Sequence, residues 1–233
     1  MPPEAVGRPQ ALLAWSGGKD AAWALHVLRQ QGLLDVVGLL TTITREHDRA
    51  SMQGVRRSVL LAQARATGLP LLDAMIPAQC DNATYERAMA DALLEASRRW
   101  PGLRTVAFGD LLLEDIRAYR EANLARIGWE VVTPLFGRDT AALAREMIRD
   151  GLRANLCCVD TQQLDAGHAG RPFDEALLDA LPAGVDPCGE IGEFHTCVHA
   201  GPMFDAPLAL ARGDTVLRDG RFAFTDFVIL PDP

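Results

Sequence analysis

The sequence predicts an α/β protein with a doubly wound, mainly parallel sheet and a smaller C-terminal α+β unit. Before residue 151, apolar runs of strand length alternate five times with helix-like stretches. A glycine-rich break, "SGGKD", follows the first of these runs, and beyond residue 151 the alternation gives way to strand-like segments. Repeated βα units are typical of a parallel sheet with helices on both faces.

Each of the five repeats pairs a short apolar run with a stretch of helix-forming residues. The apolar runs occupy residues 11–15, 34–43, 69–76, 104–110 and 129–136. The helix-like stretches that follow them occupy residues 20–31, 54–67, 82–99, 114–127 and 139–150. Parallel strands joined in this way have right-handed crossovers, and their binding loops lie at the carboxyl ends of the strands.

The C-terminal part has a different rhythm. A strand-like run at 153–160 leads into a loop and a short helix near 174–181. The last segment predicts a β-hairpin with Asp219-Gly220 at its turn, because Asp-Gly is a favoured hairpin dipeptide. We therefore predict two domains, a larger one at 1–150 and a smaller one at 151–233.

Composition excludes several classes of protein. The chain is 48% hydrophobic and 23% charged, and no apolar run approaches the roughly 20 residues of a membrane helix. A net charge of -8 disfavours electrostatic binding of nucleic acid over a broad surface. Residues 1–10 lack the basic and apolar regions of an export signal, and the five cysteines form no regular framework. We expect a soluble, cytoplasmic protein with reduced thiols.

The glycine-rich break predicts a phosphate-binding turn between the first strand and the first helix. Free backbone N–H groups and the helix dipole favour an anion there. Gly17 and Gly18 permit close approach, Ser16 offers a hydroxyl, Lys19 can neutralise phosphate, and Asp20 can cap the helix or hold a metal ion. The alternative is a Gly-Gly turn with a solvated lysine. The Walker A spacing is absent.

Distant segments of the chain resemble one protein family in the same order. They are "SGGKD" at 16–20, "GD" at 109–110, "LEDIRAYR" at 113–120, "PLFGRD" at 134–139, "REMIRDGLRA" at 145–154, "GHAGRPFD" at 167–174 and "CGEIGEFHT" at 188–196. The first resembles the pyrophosphate loop (PP-loop) of the N-type ATP pyrophosphatases, in the HUP-like adenine nucleotide alpha hydrolase group. The last resembles the C-G-E-x-G-E-[YF]-x-T element of the diphthine-ammonia ligase family. The resemblance covers nearly the whole chain.

This resemblance implies an ATP-dependent, amide-forming ligase that cleaves ATP to AMP and pyrophosphate through an acyl-adenylate. It implies ATP and Mg²⁺ as cofactors, with ATP bound by domain 1–150 and the acceptor by domain 151–233. The implied partners are a carboxylate-bearing acceptor, such as a modified protein side chain, and ammonia. A homodimer is compatible with these partners, whereas neither a membrane nor nucleic acid is expected. The diphthamide substrate is implied by the family name alone.

The turn, the strand ends and the resemblance together give a set of candidate site residues. For cofactor binding they are Ser16, Gly17, Gly18, Lys19, Asp20, Thr41 and Gly109. The catalytic candidates are Lys19, Asp110, Arg138, Glu190 and Glu193. The substrate-binding candidates are His168, Arg171, Glu190, Glu193, His195 and Thr196, and the candidate ligands of Mg²⁺ are Asp20 and Asp110. Arg120 matches another position that is basic in the family.

Each candidate outside the phosphate loop also has a simpler interpretation. Asp110 could be a helix-entry cap, and Arg120 and Arg138 could be exposed surface arginines. His168 and Arg171 could be solvated side chains of a turn. For Arg138 the resemblance favours a role at the triphosphate, because a guanidinium suits phosphate charge, whereas for Arg120 both interpretations stay open.

Glu190 and Glu193 are predicted to serve the acceptor or ammonia and not to hold ATP. A carboxylate can bind ammonium or accept its proton, but it repels a triphosphate. Strand alternation would place His195, Cys197 and His199 on one face, which raises the possibility of zinc. No C-x-x-C pair accompanies them, so packing beside a substrate loop is the favoured interpretation.

Three residues depart from the family pattern. Ala21 stands where a serine usually follows the loop aspartate, Gln53 where a histidine is frequent, and His195 where eukaryotic-like members commonly have glutamate. Two other functions stay open at this point. One is a PP-loop ATP pyrophosphatase that modifies tRNA, and the other is a non-catalytic regulatory protein that binds an adenine nucleotide, which Ala21 would suit.

Overall fold

The computed structural model describes residues 7–230 and contains two β-sheets. The strands of the first sheet are β1 (Gln10–Ala14), β2 (Asp35–Thr44), β3 (Arg49–Ala50), β4 (Leu71–Ile76), β5 (Thr105–Ala107) and β6 (Glu130–Val132). The accompanying helices are α1 (Lys19–Gln31), α2 (Arg57–Thr67), α3 (Asn82–Arg99), α4 (Glu114–Ala125) and α5 (Thr140–Arg149). All five expected βα repeats are present, and the short β3 is an addition. No helix in the described part of the chain is long and apolar enough to cross a membrane.

The first sheet is doubly wound. Five of its strands run parallel in the order β4-β2-β1-β5-β6, and β3 pairs antiparallel with the end of β2. Buried residues of α1, α2 and α5 belong to one hydrophobic cluster, and those of α3 and α4 belong to a second. The strand order reverses between β1 and β5, which opens a crevice at the carboxyl ends of these two strands. The predicted fold class is confirmed.

The second sheet is antiparallel, with the strand order β8-β7-β10-β9. Its strands are β7 (Arg153–Asp160), β8 (Phe194–Ala200), β9 (Leu210–Arg218) and β10 (Phe222–Ile229). A 3₁₀ turn (Ala166–His168) and α6 (Glu175–Ala180) lie between β7 and β8 in the chain. The predicted hairpin turn is present, and Asp219 and Gly220 have φ angles of 52° and 61°. Two positive φ angles suit a tight turn between twisted antiparallel strands.

The two sheets share a hydrophobic core. Its larger cluster contains Trp15 from the first part of the chain and Phe173 and Phe194 from the second. The Val198 N–H of β8 donates to the Gly17 carbonyl oxygen at 2.9 Å, so the second sheet contacts the loop that follows β1. The division into two domains at residue 151 stays a prediction.

Asp226 of β10 ties the C-terminal hairpin to the first part of the chain. Its carboxylate accepts hydrogen bonds from Nη1 of Arg49 at 2.8 Å and from Nη2 of Arg56 at 2.5 Å. Burial alone would raise the pKa of Asp226, but the hydrogen bonds and charges of the two arginines lower it to about 2.

We expect Asp226→Asn to lower the free energy of unfolding at pH 7 by about 1–2 kcal/mol, because the pairing with both arginines is lost. The pKa of Asp226 is lower in the folded chain than its ordinary value of 3.8. Its contribution is therefore complete above that ordinary value and is lost as pH falls towards 2. Urea denaturation of the wild type and the variant, from pH 7 downwards, measures this difference. A difference that stays constant as the carboxyl group is protonated would contradict this account.

Candidate active site

A cavity of about 640 Å³ opens at the carboxyl ends of β1, β2, β4 and β5. Most of the predicted site residues line it together: Ser16, Gly18, Lys19, Asp20, Thr41, Gly109, Asp110, Glu190, His195 and Thr196. Segments more than 170 residues apart in the sequence, such as Ser16 and Glu190, thus meet at one cavity. The doubly wound sheet supplies one side of this cavity, and the segment before β8 supplies the other.

The glycine-rich loop connects β1 directly to the first turn of α1. Gly17 has a φ of 82°, and a Cβ atom there would lie 2.7 Å from Cδ2 of Leu60. A side chain at Gly17 would therefore be both strained and crowded. Gly18 is the N-cap of α1 and provides no side-chain cap. The loop thus follows a path that only glycine permits, beside the positive end of the helix dipole.

The second sheet and α2 hold this loop in place. Oγ1 of Thr196 accepts the Lys19 N–H at 3.0 Å. The Gln63 side chain donates to the carbonyl oxygens of Gly17, at 3.1 Å, and Val198, at 2.7 Å. Gln63 also accepts the indole N–H of Trp15 at 2.9 Å. No motif in the sequence indicated Gln63, which is fully buried and links the loop to both sheets.

Lys19 is buried, with 2% of its side chain exposed, so the solvated-lysine alternative is wrong. It is also the only lysine in the chain. Its ammonium group donates to the carboxylate of Asp20, at 2.8 and 2.9 Å, and to the carbonyl oxygen of Cys188. It lies 5.6 Å from the ring centroids of both Phe173 and Phe194. The lysine therefore connects the glycine-rich loop to the "CGEIGEFHT" segment.

The buried position shifts the protonation of this cluster. Burial would lower the pKa of Lys19, but the charges of Asp20 and its neighbours raise it above the ordinary value, so the ammonium form is favoured. Burial raises the pKa of Asp20 and of Glu190. It lowers the pKa of His195 to about 4, so this imidazole is neutral at pH 7. The cavity is thus lined by a fixed cation, carboxylates and a neutral imidazole.

Gly109 and Asp110 line the cavity at the end of β5, next to the first turn of α1. A Cβ atom on Gly109 would lie 2.7 Å from the backbone carbon of Asp20, so a glycine allows β5 to approach α1 closely. The Asp110 carboxylate forms an ion pair with Arg120, whose guanidinium lies 4.3 Å from the Phe108 ring centroid. Asp110 therefore lines the cavity already paired with a cation.

Thr41 on β2 presents an unusual buried hydroxyl. The residue is 3% exposed and lines the cavity, and its Oγ1 atom has no hydrogen-bond partner among residues 7–230. A buried polar atom without a partner is costly, and this cost is removed when a ligand supplies the missing hydrogen bond. Thr41 is therefore suited to contact a molecule bound in the cavity.

The two glutamates of the "CGEIGEFHT" segment occupy different surroundings. Oε1 of Glu190, on the cavity wall, accepts the N–H groups of Leu111, at 2.9 Å, and Leu112, at 3.1 Å. The Glu193 side chain is 2% exposed, and it lies away from the cavity. Only Glu190 thus has direct access to a bound molecule.

Three other predicted residues do not reach the cavity. Arg138 forms an ion pair with Glu146, at 2.6 Å between Nη2 and Oε2. His168 lies in the 3₁₀ turn, where its Nδ1 is 3.0 Å from the carbonyl oxygen of Asp165. Arg171 follows that turn, and its carbonyl oxygen accepts the Leu156 N–H at 2.8 Å. The structure therefore leaves these three residues outside the cluster around Lys19.

The cavity also includes residues that the sequence analysis did not single out. They lie at the ends of β4 and β5 and near the start of α3: Ile76, Pro77, Cys80, Asn82, Tyr85, Met89 and Phe108. Ordinary residues at strand ends carry no motif, so only the topology could have indicated them. Among residues 7–230, no group of three or more His, Cys, Asp or Glu residues is arranged to hold a metal ion.

Comparison with known proteins gives consistent matches. Residues 139–219 match the family model of the diphthamide synthase C-terminal domain. A diphthine–ammonia ligase of Danio rerio is 28% identical over an alignment of 233 positions, which covers 91% of this chain and 91% of that protein. A diphthine–ammonia ligase of Schizosaccharomyces pombe is 27% identical over an alignment of 218 positions, which covers 86% of this chain but only 36% of the yeast protein. The resemblance to the diphthine–ammonia ligase family is confirmed.

One solved structure has a weaker likeness. It is described as a predicted subunit of tRNA methyltransferase from Methanocaldococcus jannaschii and is 16% identical, with a TM-score of 0.38. The match covers 86% of this chain and 100% of that one. A TM-score this low gives no basis for transferring a function.

Proposed function

We propose that this chain, a relative of the diphthine–ammonia ligases, joins ammonia to a carboxylate at the expense of ATP. A carboxylate oxygen of the acceptor attacks the α-phosphorus, the bond to the β-phosphate breaks, and pyrophosphate leaves. The nitrogen of ammonia then attacks the acyl carbon, AMP leaves, and a proton is lost from nitrogen. One observation carries this proposal: the Lys19 ammonium joins the glycine-rich loop to the Cys188 carbonyl, so both characteristic segments border one cavity.

The glycine-rich loop and the end of β2 form the ATP half of this proposed site. Lys19 is a fixed cation at the N-terminus of α1, where a phosphate group gains from both the charge and the helix dipole. The Ser16 hydroxyl also lines the cavity and can donate to a phosphate oxygen. Thr41, near the carboxyl end of β2, offers its unpartnered hydroxyl to the nucleotide.

Asp20 and Asp110 are suitable ligands for an Mg²⁺ ion that binds together with the triphosphate. Both line the cavity, and carboxylate oxygens are ligands that Mg²⁺ accepts, usually one or two together with phosphate oxygens and water. Each is paired with a cation, Lys19 or Arg120. Bound Mg²⁺ would neutralise triphosphate charge. A site with only two protein carboxylates suits a metal ion whose other ligands include phosphate oxygens of the nucleotide.

Glu190 forms the acceptor half of the proposed site. Its carboxylate borders the cavity, and only its Oε1 atom accepts the backbone N–H groups of Leu111 and Leu112. A carboxylate there can hold ammonium or receive a proton as nitrogen attacks. Burial raises the pKa of Glu190, which makes the group a stronger base than an exposed glutamate. Because Arg138, His168 and Arg171 lie off the cavity, the proposal gives them no part in catalysis.

The proposed acceptor is a carboxylate carried on a protein side chain, with diphthine as the first candidate, because both curated relatives are diphthine–ammonia ligases. These relatives do not favour the tRNA-modifying enzyme or the regulatory nucleotide-binding protein considered above. Purified chain should be incubated with ATP, Mg²⁺, isotope-labelled ammonium and an elongation factor that carries diphthine. Mass spectrometry should then find the label in a new amide that depends on ATP. Absence of labelled amide would exclude diphthine as the acceptor.

A further inference from the structure

Two internal carboxylates fold residues 186–193 into a compact segment, which we call the bridge segment. Oδ1 of Asp186 accepts the N–H groups of Cys188, at 2.8 Å, and Glu190, at 3.2 Å. Oε1 of Glu193 accepts the Asp186 N–H at 2.8 Å, and its Oε2 accepts the Ile191 N–H at 3.0 Å. The Glu193 carboxylate thus ties the start of the segment to its end.

The bridge segment contacts both the first turn of α1 and the residues that follow β5. On one side, the Cys188 carbonyl accepts a hydrogen bond from the Lys19 ammonium. On the other side, Glu190 accepts the N–H groups of Leu111 and Leu112, directly after Asp110. Asp186 binds the backbone of the two residues that make these contacts, and Glu193 binds the backbone of Asp186.

The surroundings of Glu193 explain why a glutamate is needed. None of the ion pairs in the described part of the chain involves Glu193, so its buried carboxylate is balanced by backbone N–H donors. Burial of a carboxylate is unfavourable unless such donors compensate it. A glutamine side chain has one oxygen acceptor, and its amide group would face one of the two backbone donors.

We propose that Glu193 is a positioning residue that holds the Lys19 ammonium and the Glu190 carboxylate in register across the cavity. This role rests on the proposed function, because it couples the ATP half of the site to the acceptor half. Glu193 does not touch the substrates. Its loss should disturb both halves together, whereas loss of the Glu190 charge should disturb only the acceptor half.

The unique lysine gives a direct test of this role. Lys19 can be acylated with an amine-reactive reagent, and peptide mass spectrometry separates its product from that of the N-terminal amine. We expect Glu193→Gln to accelerate Lys19 acylation at least tenfold and to weaken binding of a non-hydrolysable ATP analogue. Glu190→Gln removes one of the charges that raise the pKa of Lys19, so it should accelerate acylation less than Glu193→Gln does and leave the affinity for the analogue within twofold. Leu124→Ala, a buried substitution in the cluster on the other face of the first sheet, controls for general loss of stability.

An unchanged acylation rate in folded Glu193→Gln, or an equal acceleration in Leu124→Ala, would overturn the positioning role. If Glu193→Gln does not fold, Asp186→Ala provides a test of the same segment, because it removes the acceptor of the Cys188 and Glu190 N–H groups. These readouts need no turnover. Failure to produce AMP would therefore contradict the proposed function, while the acylation rates alone decide the role of Glu193.

Discussion

Replacement of Lys19 by methionine should weaken binding of a non-hydrolysable ATP analogue by about 10–100-fold. Charge-assisted hydrogen bonds contribute about 1.5–3 kcal/mol, and about 1.4 kcal/mol corresponds to a factor of ten in affinity. The substitution removes the only lysine of the chain from the N-terminus of α1 and leaves the Asp20 carboxylate without its cation. Both changes make the cavity more repulsive to phosphate.

Methionine is the appropriate replacement because Lys19 fills space. A solvated lysine, the alternative that the sequence left open, could be truncated to alanine without loss of packing. The structure instead buries the side chain between Phe173 and Phe194, so alanine would also leave a cavity. Titration calorimetry on Lys19→Met measures the affinity, with Arg145→Met, which removes two exposed ion pairs, as a control. Wild-type affinity in the Lys19 variant would remove this lysine from the phosphate site.

Substitution of Glu190 by glutamine should reduce amide formation at least about 100-fold, because general acid–base groups contribute about 100- to 10,000-fold to rates. Glutamine nearly preserves the shape of the side chain and can still accept the Leu111 and Leu112 N–H groups through its carbonyl oxygen. ATP-analogue affinity should stay within twofold of the wild type. Glu121→Gln, at an exposed ion pair of α4, is the matched control.

The pH dependence gives this prediction a second readout. Burial raises the pKa of Glu190 above its ordinary value of 4.5. The wild-type rate should therefore fall as pH decreases through this raised pKa, since protonation removes the base. The rate that remains in Glu190→Gln should not show this decrease at low pH. Full acceptor-dependent activity in the variant, or loss of ATP binding while the variant is folded, would contradict the separation of the two halves.

The main features of the fold could be predicted from the sequence because they depend on local patterns. Five apolar runs and five helical stretches predicted the parallel sheet, and Asp219-Gly220 predicted the hairpin turn. The two-residue β3 could not be predicted, because it follows no periodic pattern. It forms only where Arg49 and Ala50 meet the end of β2.

Much of the candidate site was also predictable, since the glycine-rich loop, the strand ends and the "CGEIGEFHT" segment each have a distinctive composition. The partners of individual side chains were not. Gln63 lies 46 residues from Gly17 in the sequence, and Lys19 lies 169 residues from Cys188. Only the packing of the second sheet on the first creates these contacts. The same packing places Glu190 on the cavity wall and buries Glu193, although the two residues looked equivalent in the sequence.

The central claim is that the cavity supports cleavage of ATP between its α- and β-phosphates. The most direct measurement is chromatographic separation of the products formed from labelled ATP by purified protein with an acceptor and ammonium. The account predicts AMP and pyrophosphate in equal amounts, with Lys19→Met, which binds ATP weakly, as the control for contaminating enzymes at subsaturating ATP. ADP and inorganic phosphate as the main products, absent from the Lys19→Met preparation, would contradict it.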